Sequence, residues 1–121
     1  MPHVLLDQLP ALTLADGVVA RVAASLNMSI AHVHLAAGAR LPRHDHPHEQ
    51  VVNVVDGELE LTVEGQPFRL RRGEVYILPP HIPHSAHAVT DCYVIDVFHP
   101  VREDFRAASL TGYPQPGGKT A

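Results

Sequence analysis

The chain has 121 residues, a formal net charge of -4 and a single cysteine, Cys92. That length suits one domain burying roughly two thirds of the surface its unfolded chain exposes. The charge leaves no basic footprint for nucleic acid or anionic membranes, a lone cysteine excludes an internal disulfide and fits a reducing compartment, and no apolar run approaches the ~20 residues of a membrane span or the core of a signal peptide. A soluble cytoplasmic protein is expected. Ten histidines, several in two clusters, are a large excess, and eleven prolines with eight glycines cut the chain into pieces too short for long helices.

Residues 1–17, with Pro2 and Pro10, read as an N-terminal arm or short edge strand. Val18 to Ala24 and Met28 to Leu35 are β-rich and separated by Ser25-Leu26-Asn27, a hairpin pattern. Gly38 to Pro42 reads as a corner. Gln50 to Val55 runs into Asp56-Gly57, a strong hairpin signal. Glu58 to Glu64 alternates, with Leu59, Leu61 and Val63 on one face. Gly65 and Arg71-Arg72-Gly73 turn the chain into two further strands, Gln66 to Leu70 and Glu74 to Leu78. Pro79-Pro80-His81-Ile82-Pro83 is a stiff connection that cannot sit inside a ladder, since proline lacks the N–H. His84 to Val89 and Cys92 to His99 are the last strands, Val101 to Ala108 is one short helical stretch, and residues 109–121 are a flexible tail. Many short strands with turn residues between them indicate an all-β sandwich or barrel.

His44 and His46 lie two apart, and Gln50 keeps their parity, so on an extended segment the three project from one face. His81, His84 and His87 form the second cluster, with His84 opening a strand behind Pro83. A divalent first-row ion takes imidazole ligands from a rigid frame, and β geometry supplies one. His3, His32, His34 and His99 read as solvated or hydrogen-bonded rings, and no role follows for His48, His81 or His87 beyond support of the ligands.

These residues resemble the cupin superfamily. Gly38, His44, His46, Gln50 and Gly57 keep the spacing of its first motif, with glutamine in place of a glutamate. Gly73, Pro79, His81, His84 and Ala88 keep that of the second, with His81 in place of a glycine and Ala88 in place of an asparagine. The resemblance implies an all-β, single-domain cupin jelly-roll β-barrel over residues 1–121 with a short C-terminal helical turn. It implies one divalent first-row metal (Ni, Zn, Fe, Mn or Co) on His44, His46, Gln50 and His84, and a homodimer. With Gln50 neutral, such a site keeps nearly its full positive charge, which favours a Lewis-acid role and an anionic or hydroxylated ligand. Histidine at position 81 implies a loop that needs no positive φ there.

The run Asp96, Phe98, Arg102, ending in Arg102-Glu103-Asp104-Phe105, is similar to the KdgF-type cupins. That similarity implies a metal-dependent isomerase, or ring-opening tautomerase, that converts 4,5-unsaturated monouronates from pectin or alginate breakdown to linear keto forms. Asp96 is then the general acid and base, Arg102 the clamp on the substrate carboxylate, and Phe98 the cover of the sugar face. The plainer readings are a structural carboxylate at Asp96, a solvated residue at Arg102 and core at Phe98. Two other functions stay open: an Fe(II) cupin dioxygenase, and a non-catalytic cupin that binds a sugar or other small molecule.

Overall fold

The computed structural model describes residues 3–106. The expected tail, residues 109–121, and the end of the expected helical stretch, Ala107 and Ala108, lie outside the described residues. The chain enters through a 3-10 turn, Leu6–Gln8, and then forms β1 (Leu12–Ala15), β2 (Val18–Ala24) and β3 (Ser29–Leu35). There follow β4 (Arg40–His44), β5 (Glu49–Asp56), β6 (Glu58–Val63), β7 (Gln66–Arg71) and β8 (Val75–Leu78). β9 (His84–Ala88) and β10 (Cys92–His99) complete the strands, and α1 (Glu103–Arg106) is a single helical turn. Among the described residues the strands form two antiparallel sheets, one in the order β1-β2-β3-β10-β5-β8 and the other β4-β9-β6-β7. No helix among them is long and apolar enough to cross a membrane.

Alternation decides which faces meet. β2, β3 and β6 each bury every second residue, so Val22, Ala31, Val33, Leu59 and Leu61 from opposite sheets join Val52, Val94 and Phe98 in one core. Burying each such valine, leucine or phenylalanine stabilises the fold by about 1.5–3 kcal/mol. The all-β jelly-roll expected from the sequence is what forms. The Asp56-Gly57 turn sits where predicted, with Gly57 at φ +90° and its α-carbon packed against the Asp91 carbonyl, where a Cβ would collide.

Two expectations are corrected. The segment read as a corner at Gly38 to Pro42 contributes most of a strand, β4, which pairs with β9. Pro42 cannot donate to a ladder, and the pairing accommodates it by a register shift between Leu41 and His44, a bulge that re-aims the chain. His81 does take the left-handed conformation, φ +67°, that the motif's glycine would favour. Histidine pays some strain there, and in that conformation the His81 N–H donates to the His46 carbonyl at 2.8 Å, tying the proline-rich loop to the ligand loop.

Candidate metal centre and its cavity

The bulge in β4 puts His44 directly opposite His84 of β9, their rings 4.4 Å apart. His46 lies in the loop between β4 and β5, which crosses from the smaller sheet to the larger, and Gln50 faces Phe98 across the β5–β10 pair. The three imidazoles therefore converge because the chain changes sheets, and not because one extended segment presents them on a common face. One nitrogen from each of His44, His46 and His84 lies within 4.8 Å of the other two.

Their tautomers follow from local backbone. Nδ1 of His44 faces the Pro42 carbonyl at 2.8 Å, Nδ1 of His84 the Ile82 carbonyl at 2.8 Å, and Nδ1 of His46 the His48 carbonyl at 3.1 Å. A carbonyl only accepts, so each Nδ1 carries the proton and donates it, leaving Nε2 with a bare lone pair. His84 Nε2 is buried with no hydrogen-bond partner among the described residues. His46 Nε2 lies 3.0 Å from Gln50 Oε1. The Gln50 amide also hydrogen-bonds the Asp96 carboxylate and pulls its pKa down, the action of an N–H donor, so its oxygen is left facing His46. Lone pairs turned on one another and a buried, unpaired Nε2 fit a cation as the missing partner.

The protonation states agree. Burial, aided by the Arg102 and His84 charges, lowers the His46 pKa to about 4, and burial lowers that of His84, so both rings stay neutral, as ligands must be. Burial raises the Asp96 carboxyl to about 7, against the opposing pull of Gln50 and Arg102, and its Oδ1 has no partner among the described residues.

His44, Gln50, His84, Asp96, Phe98 and Arg102 all line one cavity of about 320 Å³. His46 joins them through ring contacts with Phe98 (5.6 Å) and His84 (5.1 Å). Strand register orders the wall. Phe98 pairs with Gln50, Asp96 with Val52 and Ala31 lies two residues further along β10, and Val94 with Val33 two residues beyond that, all of them lining the cavity. Arg102 is held over two rings, its Cζ 4.9 Å from the Phe98 centroid and 4.1 Å from that of Phe105, and its backbone N–H donates to the buried Ser29 hydroxyl at 2.8 Å.

Several contributors escape sequence reasoning. Ser29 and the carbonyls of Pro42, His48 and Ile82 act through backbone geometry that no residue-type pattern carries. Asp104, which takes Arg102 bidentately at 3.1 and 2.7 Å, stood in the Arg102-Glu103-Asp104-Phe105 run but was given no role there, because Arg-x-Asp is a spacing without its own signal. His48 lies behind the ligands and bonds the Val101 carbonyl, His81 works through its N–H, and His87 opposes Arg40 on β4. His32 and His34 lie on the outer face of the larger sheet against Tyr93, away from the centre.

Known proteins share this arrangement of the chain. The cupin domain family matches residues 31–98. The pectin degradation protein KdgF of Dickeya dadantii (strain 3937) is 31% identical over 102 residues, covering 82% of this chain and 93% of that protein. The solved structure of KdgF from Halomonas sp. is 30% identical with a TM-score of 0.77, covering 84% of this chain and 94% of that one. A salicylate 1,2-dioxygenase from Pseudoaminobacter salicylatoxidans shares the fold, with a TM-score of 0.69 at 20% identity over 74% of this chain and 28% of that one.

Proposed function

The chain belongs to the cupin domain family and is a cupin of KdgF type, and on that premise we propose that it converts 4,5-unsaturated monouronates to their linear keto forms. The observation that carries this reading is geometric: the Asp96 carboxyl, its Oδ1 buried without a partner among the described residues, lines the same cavity as His44, His84, Gln50 and Arg102, and desolvation raises its pKa to about 7. A group poised near neutrality both takes and returns a proton, which is what the reaction requires.

His44, His46, His84 and Gln50 would hold a divalent first-row cation, which would supply Lewis acidity toward the substrate oxygens. Arg102 binds the substrate carboxylate, and Phe98 covers the sugar ring beside it. Asp96 takes the proton from the anomeric hydroxyl as the C1–O5 bond breaks, leaving an aldehyde at C1 and an enolate at C5. The same proton, delivered from Asp96 to C4, leaves a ketone at C5. Atoms and electrons balance as an isomerisation, with no oxidant. Asp96 pairs with apolar Ala31 and Val52 on its two neighbouring strands, and desolvation there sustains its raised pKa.

The test follows the ultraviolet absorbance of the conjugated uronate under nitrogen, with protein stripped by chelator and then reloaded. The reading expects loss of absorbance without oxygen, abolished by stripping and restored by a first-row metal. Turnover that needs oxygen would instead identify a dioxygenase. An inert protein that still binds uronates tightly would identify a binding module.

A further inference from the structure

Arg102 carries five N–H donors, and its side-on face, Nε with Nη2, is the one that grips a carboxylate bidentately. In this structure that face is taken by Asp104, at 3.1 Å to Oδ1 and 2.7 Å to Oδ2. Asp104 is not needed to hold the guanidinium. Phe98 and Phe105 already flank it, the buried side chains of Val101 and Phe105 bracket the segment, and Ser29 fixes its backbone. The Arg102 side chain is only 17% exposed, whereas that of Asp104 is 56% exposed, so the aspartate can rotate away into water while the arginine stays. Asp104 also lines the cavity itself. A carboxylate in the wall of a pocket built for an anion repels that anion unless it moves.

We infer that Asp104 is a built-in stand-in for the substrate carboxylate: it occupies the side-on face of Arg102 in the free protein and yields it when a free acid enters. This makes Asp104 a specificity-determining residue. A carboxylate offers Arg102 an equal exchange for the one it loses. An ester or amide offers a weaker acceptor, so it leaves Asp104 in place and gains nothing from Arg102. The inference rests on the proposed role of Arg102 as the site of the substrate carboxylate.

The test titrates metal-loaded protein with D-galacturonate, a saturated uronate, and with its methyl ester, following Arg Nε–Hε resonances by NMR. Asp104→Asn is expected to bind galacturonate roughly fivefold more tightly, the scale set by displacing a half-exposed ion pair. The ester is expected to bind both forms alike, and Arg102→Gln is expected to erase the difference. Weaker galacturonate binding by Asp104→Asn would make Asp104 a holder of Arg102 and overturn the inference, as would an equal gain for the ester. If Arg102→Gln weakens galacturonate while Asp104→Asn does not tighten it, the Asp104 inference alone fails. If Arg102→Gln leaves galacturonate affinity at the wild-type value, the assignment of the carboxylate to Arg102 fails as well.

Discussion

Each imidazole of the cluster is set by a carbonyl two positions away in its own chain segment, Pro42 for His44, His48 for His46 and Ile82 for His84. Side chains whose tautomers are fixed so locally present preformed lone pairs, and the cost of orienting them is met when the chain folds. Asp96 gains its character differently, from burial that outweighs a hydrogen bond and a nearby guanidinium. Asp96→Asn keeps shape but cannot shuttle the proton, so turnover of an unsaturated uronate should fall about 10²–10⁴-fold. Metal content measured on the same sample should not change, and an undiminished rate would move the acid–base role to another group. His32 supplies a separate prediction about stability. Burial first, and then the His34 charge, lower its pKa below 6.5 in the fold. The folded state thus binds a proton less readily than the unfolded one, so this ring's contribution is full above pH 6.5 and is lost as pH falls toward its lowered folded value. Denaturant midpoints at pH 8 and pH 5 should converge more in His32→Gln than in the wild type, and an identical pH loss in both would contradict that assignment.

At the scale of elements, the strands were legible wherever periodicity and turn chemistry agreed. Leu59, Leu61 and Val63 of β6 alternate with polar residues, and all three are buried. β4 was not legible, because Pro42 reads as a strand breaker and a bulge is a relation between two strands that neither displays alone. The glycine position of the second motif misled for a similar reason, since histidine there seemed to dispense with a positive φ that the loop still demands. His81→Gly should therefore raise stability by about 0.5–1 kcal/mol, the left-handed strain relieved less the added chain entropy. A lower thermal midpoint would show that the His81 ring contributes more than its conformation costs. Gly57→Ala should have the opposite sign, losing about 2 kcal/mol, because a Cβ at φ +90° runs into the Asp91 carbonyl. A thermal midpoint within a degree of wild type would mean that the β5–β6 turn shifts freely.

For the molecule as a whole, the centre depends on two sheets meeting. β4 and β9 of the smaller sheet bring His44 and His84, while β5 and β10 of the larger bring Gln50, Asp96 and Phe98. His44, Gln50 and His84 were readable in the sequence because two motifs keep fixed internal spacings, and Asp96 and Phe98 because the last strand carries a run similar to that of the KdgF-type cupins. Their order along the cavity wall was not, since it comes from inter-strand register, and neither was the pairing of Arg102 with Asp104. The account stands on three Nε2 lone pairs and one amide oxygen sharing a cation. Its most direct test is metal analysis with X-ray absorption of the purified protein and of His84→Ala. The account predicts one first-row divalent ion per wild-type chain, bound by three imidazole nitrogens and oxygen, and loss of that ion in His84→Ala. A wild-type chain that excludes first-row metals, or a His84→Ala chain that keeps the same ion and the same nitrogen count, would contradict it.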